Sequence, residues 1–453
     1  MTSTRFEDYS PPIESLDELL SVFRKGETTP DQFRLGTEHE KLGFHRRTLK
    51  PVAYEGPQGI RMVLEQFMSR FGWEPVFEGA NIIALARGAA TISLEPGGQF
   101  ELSGAPLPSA HGTCQELAQH LAEIREISEQ LDLVWLSMGR NPFVPSREMP
   151  WMPKQRYAVM RNYLPKRGSM GIDMMVGTGT VQANLDYSSE ADMATKMRVG
   201  MAASPILTAL FANSPLANGT ATGYLSTRAL IWQHTDPDRS GILPAVFRED
   251  YTYQDYVDYA LDVPMFFIYR AGHYIDCAGY SFRDFLSQGL EGERPTHADW
   301  ALHLTTIFSE VRLKSYLELR MADAGAPDMI CALAALTRGM FYDDTALRDT
   351  VLLLQKLTAG QLPGMIHEAA RIGLRAEALG RPLQAWAQDL LAIARGGLQR
   401  LNARDGLGEN EVKYLAPLDE IAATGKCRAE VLLEQWNGVW QRNPRKLLEG
   451  CCL

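Results

Sequence analysis

Apolar and polar residues alternate with a period of two in several short segments of the chain, and this pattern predicts β-strands. Glycine-punctuated runs of this kind fill much of residues 33–104, and others lie near residues 132–138, 178–187, 264–276 and 311–320. In a doubly wound fold strands alternate regularly with helices, and the predicted strands here do not. We therefore expect an α+β protein with a largely antiparallel sheet and helices packed around it.

Helical spacing of apolar residues predicts helices between these strands. The segments are residues 58–70, 112–130, 190–212 and 250–260. Another helix is expected from Ser15 to about Gly26, because Ser15 and Glu18 have the spacing of a capping box. From about residue 343, Leu and Ala recur every three or four positions, as in LQAWAQDLLAIARGGLQRL, which predicts a helical C-terminal part.

No stretch of the sequence resembles a flexible linker, an internal repeat or a low-complexity segment. A length of 453 residues allows two or three domains or one enlarged enzymatic domain. We expect a single domain over residues 1–453. Its catalytic sheet and helices would span about residues 30–345, and the helical C-terminal part about residues 346–453.

Four predicted strands carry polar residues on one face and apolar residues on the other. The polar sets are Glu38 and Glu40 in FRLGTEHEKLGF; Glu95, Gln99 and Glu101 in ISLEPGGQFELSGAPL; Thr178, Thr180, Gln182, Asn184 and Asp186 in GTGTVQANLDY; and Arg312, Lys314, Tyr316, Glu318 and Arg320 in VRLKSYLELRMAD. A solvated face would explain any one strand, because antiparallel sheets often expose one face to water. However, acids, amides and arginines recur across the set, whereas lysine, the usual residue of a solvated face, is sparse.

Converging glutamates favour a metal site, because carboxylates repel one another unless a cation lies between them. Mg²⁺ prefers oxygen ligands of this kind. Arginine and lysine on a neighbouring strand suit the phosphate oxygens that such a metal bridges. The pattern therefore favours a phosphoryl-transfer site on this face of the sheet over a face that is merely exposed to solvent.

The charge balance excludes some partners. Lys and Arg total 45 and Asp and Glu total 55, which gives a net charge of -10. Sequence-independent binding to nucleic acid or to an anionic membrane would need a clustered positive field, so we expect neither. The first twenty residues carry neither an apolar signal core nor an Arg-rich transit pattern, and we expect a cytoplasmic protein.

Common catalytic motifs are missing from the sequence. There is no GxxxxGK[ST] loop and no GxSxG elbow, and neither His39-Glu40 nor His367-Glu368 continues into HExxH. The GTGT segment at residues 177–180 lies inside a strand pattern and is not a dinucleotide fingerprint. A bound nucleotide would therefore require a less common scaffold.

Nine strings in order resemble the plant type of glutamate–cysteine ligase, which plants share with many proteobacteria. They are FRLGTEHEKLGF, SLEPGGQFELSGAPL, MPKQRYAVMRNYLPKRG, GTGTVQANLDYSSEADM, LFANSP, STRALIWQHTDPDR, YVDYALDVPMFFIYR, YIDCAGYSFRDFL and HLTTIFSEVRLKSYLELRMAD. The resemblance is dense over about residues 30–345 and looser in the helical tail. It implies a curved, largely antiparallel sheet of the glutamine synthetase and glutamate–cysteine ligase superfamily, with helices outside.

The resemblance also implies a reaction. ATP phosphorylates the side-chain carboxylate of L-glutamate to γ-glutamyl phosphate, and the amine of L-cysteine then displaces phosphate to give γ-glutamylcysteine, the first step of glutathione synthesis. Two or three Mg²⁺ ions would neutralise the charge shared by the triphosphate and the carboxylate. ATP and the two amino acids are the expected partners, with feedback by glutathione and a monomeric or homodimeric state as further expectations.

The family's motifs imply roles for particular residues of this chain. The implied roles are Mg²⁺ ligation for Glu38, Glu40, Glu95, Glu101, Gln182 and Glu318; catalysis for Glu38, Glu40 and Arg320; ATP contact for Lys314, Arg320 and Asn184; and substrate contact for Arg156, Arg228, Arg161 and Trp232. A guanidinium suits an α-carboxylate because it donates two parallel hydrogen bonds. Arg161 equally fits a helix-surface arginine, and Trp232 equally fits a core residue.

Only the family resemblance indicates which cysteines could form disulfides. The six lie far apart without a CxxC pair, which by itself indicates free thiols in a reducing compartment. Plant relatives carry two disulfides that respond to redox state, and Cys114 and Cys331 match one pair. Cys277 matches half of the second, but its partner position holds Gly292, so that bridge is expected to be absent. Two buried free thiols remain the alternative for the first pair.

Other functions stay open at this point. A ligase that uses a different amine or acid differs only in its acceptor pocket. An acidic sheet also suits a metal-dependent hydrolase or a guanidino-kinase-like phosphotransferase, and a catalytically inactive binding protein is a third class. The presence of Glu38, Glu40, Glu101, Glu318 and Arg320 together disfavours the inactive protein.

Overall fold

The structure is a computed structural model that describes residues 10–453. Residues 1–9, which carry part of the expectation about an N-terminal leader, lie outside the described residues. None of the helices within residues 10–453 is long and apolar enough to cross a bilayer.

The strands group into one large sheet and several short hairpins. Those of the large sheet are β1 Leu35–His45, β2 Glu74–Glu78, β3 Asn81–Arg87, β4 Ala90–Leu94, β5 Phe100–Ser103, β6 Leu133–Leu136, β7 Thr180–Leu185, β14 Val311–Leu313 and β15 Leu317–Asp323. The short ones are β8 Leu216–Ala217, β9 Thr220–Ala221, β10 Ser240–Gly241, β11 Phe267–Arg270, β12 His273–Asp276, β13 Phe308–Ser309, β16 Glu377–Ala378 and β17 Arg381–Pro382.

Seventeen α-helices surround the sheet in the part of the chain that the structure describes. They are α1 Leu16–Arg24, α2 Ile60–Phe71, α3 Ala110–Leu131, α4 Arg156–Tyr163, α5 Gly171–Gly177, α6 Glu190–Leu210, α7 Thr227–Gln233, α8 Tyr253–Asp262, α9 Phe282–Gln288, α10 His297–Leu304, α11 Pro327–Phe341, α12 Asp344–Leu354, α13 Leu362–Ile372, α14 Leu383–Leu401, α15 Ala416–Thr424, α16 Arg428–Asn437 and α17 Pro444–Cys451. The expected α+β class with an antiparallel sheet is confirmed.

The large sheet has nine strands in the order β14-β15-β7-β1-β5-β4-β3-β2, with β6 paired to the far half of β1. All of these pairings are antiparallel. Register shifts interrupt the β15/β7 and β2/β3 pairs. Such bulges bend the strands that carry them, and this accounts for the curvature of the sheet.

One face of the sheet packs against helices. The apolar residues of β15, Leu317, Leu319 and Met321, are buried, as period-two alternation requires. Helix α6 packs on β15 and α11 packs on β7, while α14 covers α11 from outside. The sheet and the C-terminal helices therefore share one hydrophobic core. The predicted division of the chain at about residue 345 stays a prediction.

The structure corrects the strand expected over residues 311–320. The chain forms two strands, β14 and β15, which pair so that Arg312 lies opposite Glu318. Lys314 to Tyr316 form the bend between them. The alternating set is therefore folded back on itself, and Arg312 and Glu318 become neighbours instead of lying at opposite ends of one strand.

Three further segments differ in detail from the elements that the sequence predicts. Helix α1 begins where expected, but the Ser15 hydroxyl donates to Glu18 Oε1 at 3.1 Å and does not cap the helix backbone. Residues 264–276 form a hairpin of β11 and β12. The C-terminal part is mostly helical, as predicted, but contains the short hairpin of β16 and β17.

Cys114 and Cys331 form a disulfide in the structure, with their Cα atoms 5.6 Å apart. The bond joins α3 to α11 across 217 positions of the sequence. The alternative of two free thiols is therefore wrong. Cys277 and Cys427 are buried free thiols, Cys451 is half-buried, and Cys452 is exposed.

This cysteine arrangement predicts a thiol count. Alkylation of the denatured, unreduced protein should label four cysteines, because Cys277, Cys427, Cys451 and Cys452 are free, and prior reduction should raise the number to six. In Cys114→Ser, alkylation without reduction should label five, because Cys331 loses its partner. Intact-protein mass spectrometry measures each count, and six labels without reduction in the wild type would contradict the disulfide.

Candidate active site

The strand register brings the polar residues of four strands onto one face of the sheet. Glu38 on β1 lies opposite Gln182 on β7, and Glu40 on β1 lies opposite Glu101 on β5. Asn184 on β7 lies opposite Glu318 on β15. Residues that are far apart in the sequence thus meet because antiparallel partners at one register level point to the same side.

A cavity of about 110 Å³ lies over this face. Four glutamates, Glu38, Glu40, Glu95 and Glu101, line it together with Gln182, Trp232 and the four arginines Arg156, Arg228, Arg312 and Arg320. These ten side chains, all of which belong to the polar or substrate-contact sets named from the sequence, line the same cavity. The cavity is smaller than the roughly 300–1,000 Å³ of sites that enclose drug-sized ligands.

The turn between β4 and β5 positions Glu95 at the cavity. A Cβ at Gly97 would lie 2.3 Å from the Val176 carbonyl oxygen, and Gly98 has a φ of +83°, so both positions require glycine. The Gln99 side chain fixes the turn, because its Oε1 accepts from Gly97 N and its Nε2 donates to the carbonyls of Met175 and Thr178. Glu95 is held in place by backbone geometry.

The carboxylates on β1 and β5 are buried and repel one another. Burial and the neighbouring Glu95 raise the pKa of Glu40 to about 8. Burial, together with Glu38, Glu95 and Glu40, raises the pKa of Glu101 well above its ordinary value. The Thr180 backbone N–H donates to Glu40 at 2.9 Å, and the Ser103 hydroxyl donates to Glu101 at 2.6 Å. These neutral donors add no positive charge, and the more distant Arg228 and Arg320 offset the repulsion at Glu40 only in part, since its pKa stays raised.

Glu318 has the opposite environment. Burial alone would raise its pKa, but Arg312, Lys314 and Arg320 hold the pKa well below its ordinary value. The three cations donate to its carboxylate at 2.8, 3.2 and 2.8 Å. Glu318 is fully buried and does not line the cavity, so the structure shows it as the counter-ion of this cluster.

Helix α7 carries Arg228 and Trp232 to the cavity. Its N-cap, Ser226, accepts from Ala229 N and donates to Asp323 at the end of β15. The Arg228 guanidinium donates to the Arg320 carbonyl at 2.7 Å and is almost completely buried. The indole of Trp232 lies near both arginines, so it forms part of the cavity wall and is not only a core residue.

The remaining candidates divide between the cavity and its surroundings. Arg156, at the start of α4, lines the cavity, whereas Arg161 is exposed and stacks on Trp151 at 4.5 Å. Asn184 lies behind the cavity and donates to Glu38 at 2.8 Å. Lys314 is buried against Glu318. The structure therefore does not bring Arg161, Asn184 or Lys314 to the cavity wall.

Sequence reasoning gave no role to two charged residues of this region. Arg312 was part of the alternating set but lines the cavity as the partner of Glu318. Glu310 precedes it by two positions and lies beside Arg228, Arg320 and Trp232. The same period-two spacing that singled out Arg312 would have included Glu310 if the strand had been extended by one step.

The carboxylates that line the cavity suit Mg²⁺ that is held jointly by the protein and by substrate phosphates. Among residues 10–453, no three His, Cys, Asp or Glu side chains come close enough to form a ready-made metal cage. Mg²⁺, however, is usually held by one or two carboxylates together with substrate phosphates. The four carboxylates that line the cavity are oxygen donors of the required kind.

Two solved structures share the fold of this chain. The fold resembles that of a glutamate–cysteine ligase from Francisella tularensis, solved in complex with AMP, with a TM-score of 0.57 and 12% identity over 92% of this chain and 87% of that one. It also resembles a bifunctional glutathione synthetase from Pasteurella multocida, with a TM-score of 0.53 and 14% identity over 96% of this chain and 53% of that one. At these identities the likeness shows the fold alone.

The sequence comparisons identify the family. The model of glutamate-cysteine ligase family 2 (GCS2) matches residues 34–449. The chain is 45% identical to the chloroplastic glutamate–cysteine ligase of Arabidopsis thaliana, over 97% of this chain and 85% of the relative, and 45% identical to that of Nicotiana tabacum over the same shares. The chain therefore belongs to glutamate-cysteine ligase family 2. The expected activity, ATP-dependent formation of γ-glutamylcysteine for glutathione synthesis, is confirmed.

One expectation is overturned by the same comparison. The chain was expected to be cytoplasmic because its first residues lack a transit pattern, but the plant relatives are named as chloroplastic enzymes. The cytoplasmic expectation is therefore wrong. Its physical basis was weak, since a short N-terminal composition says little about where a folded enzyme works.

The cluster around Glu318 generates a stability prediction. In Glu318→Gln, Arg312 and Lys314 would stay buried without a counter-ion, so the free energy of unfolding should fall by about 3–5 kcal/mol. Urea denaturation followed by tryptophan fluorescence measures this change. Glu129→Gln is a matched control, because Glu129 is exposed on α3. An equal unfolding midpoint for both variants would show that Glu318 does not balance the cluster.

Proposed function

We propose that the cavity over β1, β5, β7 and β15 is the place where both steps of the ligation occur. In the first step, an oxygen of the glutamate γ-carboxylate attacks the γ-phosphorus of ATP, and the bond to ADP breaks. In the second, the cysteine amine attacks the acyl carbon, loses a proton and expels phosphate. The observation that carries this proposal is the meeting of four glutamates and four arginines in one enclosed space.

The acids have a role that follows from their mutual repulsion. Glu38, Glu40, Glu95 and Glu101, with Gln182 as a further oxygen donor, would hold Mg²⁺ together with the phosphates of ATP. When bound, Mg²⁺ neutralises charge on the triphosphate and makes the γ-phosphorus more electrophilic. Asn184 orients Glu38 through the hydrogen bond between them. In place of metal ligation, we assign Glu318 the role of anchoring Arg312, Lys314 and Arg320.

The arginines supply fixed positive charge to the substrates. Arg320 donates to Glu318 and to the side-chain amide oxygen of Gln182 at 2.7 Å, so its guanidinium needs little reorganisation to meet a transferring phosphoryl group. Arg156 and Arg228 are suited to substrate carboxylates, because each has a buried Nε without a hydrogen-bond partner among residues 10–453. Lys314 acts indirectly, through Glu318.

The size of the cavity suggests how glutamate and ATP divide the site between them. A cavity of about 110 Å³ is small compared with sites that take drug-sized ligands, so we assign it to the amino acid and the reacting phosphate and not to the whole nucleotide. The γ-phosphate of ATP therefore enters from the open side, while its adenosine part stays outside the enclosed space. The glutamate lies deepest, next to Arg228 and Trp232.

A kinetic experiment tests these assignments. ADP release from MgATP is measured with glutamate, with and without cysteine. Glu40→Gln should lower kcat by about 100-fold or more, because it removes charge that acts in the transition state. Arg228→Ala should raise the KM of glutamate by at least about tenfold, because a bidentate carboxylate contact is lost.

The controls are matched in chemistry and exposure. Glu129→Gln on α3 and Arg348→Ala on α12 change the same side-chain types at exposed positions, and both should behave as the wild type. If Glu40→Gln and Arg228→Ala also kept wild-type kinetics, the cavity would not be the site of the reaction.

A further inference from the structure

A small chamber adjoins the main cavity and contains an acid that the proposed mechanism does not use. Its walls include Glu310 and Thr208, together with four residues that also line the main cavity: Arg228, Trp232, Phe308 and Arg320. The chamber holds about 10 Å³, which is the space of a single water molecule. A group of that size and no larger fits inside.

The strand pairing explains why Glu310 faces this chamber. The Arg320 backbone N–H donates to the Glu310 carbonyl at 3.0 Å, one step beyond the pair of Val311 and Leu319. Glu310 and Arg320 are therefore at the same register level and point to the same side of the hairpin. That side is the one on which Arg312 and Glu318 lie.

Two buried donors at the chamber have no partner inside residues 10–453, and they lie beside the half-buried Glu310 carboxylate. The Arg228 Nε and the Trp232 Nε1 are buried donors that make no hydrogen bond. The Glu310 carboxylate feels the charges of Arg228 and Arg320 but forms no ion pair of 4.0 Å or less with any described residue. Buried polar groups are normally satisfied, so two unpaired donors beside a carboxylate that forms no ion pair indicate a missing ligand.

The three groups match the head of an α-amino acid. Two N–H donors suit an α-carboxylate, and a carboxylate at the end of a one-atom chamber suits an ammonium group. We propose that Glu310 binds the α-ammonium group of the glutamate substrate, while Arg228 and Trp232 bind its α-carboxylate. This inference rests on the proposed function, which places glutamate beside Arg228.

The chemistry of the two steps assigns this subsite to glutamate and not to cysteine. The cysteine amine is the nucleophile and must lose a proton before it can form the amide bond. A carboxylate beside it would hold it in the protonated, unreactive form. The α-ammonium of glutamate takes no part in bond making, so the same pairing only fixes the direction in which its γ-carboxylate points. Glu310 would thereby exclude diacids that lack the amine.

The experiment compares glutamate with glutarate, the same five-carbon diacid without the ammonium group. In Glu310→Gln, the KM of glutamate should rise at least about tenfold, because a charged partner is lost. The inhibition constant of glutarate, measured against glutamate, should stay the same or fall, and the KM values of ATP and cysteine should change less than about twofold. Glu129→Gln, with wild-type values throughout, is the control.

Two outcomes would overturn the inference. If glutamate and glutarate lost affinity equally, Glu310 would only balance the charge of Arg228 and Arg320. If the KM of cysteine rose while that of glutamate did not, the subsite would belong to the other amino acid. Failure of the proposed function is separate, because it would leave Arg228→Ala with an unchanged KM for glutamate whatever Glu310→Gln does.

Discussion

Burying one charged face of a sheet is the constraint on which the rest of this structure depends. Period-two alternation puts Glu38, Glu40, Glu101 and Glu318 on the same side, and the antiparallel register brings them together away from water. A buried charge is costly unless it is paired. At Glu318 three cations surround the carboxylate and hold its pKa low, whereas at Glu40 and Glu101 the compensation is incomplete and the pKa values stay raised. The incompletely balanced carboxylates are those to which we assign Mg²⁺ and the reaction.

Strand β15 links the balanced and unbalanced regions. Glu318 and Arg320 lie in its middle, and Asp323 at its end accepts hydrogen bonds from Asn213 N and from the hydroxyls of Ser214 and Ser226. Ser226 begins α7, so the strand that carries Arg320 also fixes the helix that carries Arg228 and Trp232. The groups that we propose to face the substrates therefore have a common support, which is what preorganised catalysis requires.

The sequence predicted what depends on local periodicity and missed what depends on contacts between distant segments. The faces of β1, β5 and β7 follow from alternation alone and were predicted correctly. The hairpin bend at Lys314 to Tyr316 was not, because two paired strands joined by a three-residue bend keep the same period as one continuous strand. Arg161 sits in a family motif, but the packing of α4 turns it outward. Glu310 escaped notice because its environment is built by α7, a segment about eighty residues away in the sequence.

The disulfide acts at a junction that also has noncovalent support. Closing a loop of 217 residues disfavours the unfolded chain by about 5 kcal/mol in the chain-entropy description. At the same junction the buried Glu411 accepts from Ala110 N at the start of α3 and from Arg338 Nε on α11. Helices α3 and α11 are thus connected in two ways. The disulfide, which reduction breaks, is one, and the bridge through the Glu411 carboxylate, which reduction leaves intact, is the other. Because α3 packs on β1 and α11 packs on β7, reduction would loosen the support of the two strands that carry Glu40 and Gln182 without detaching either helix from the sheet.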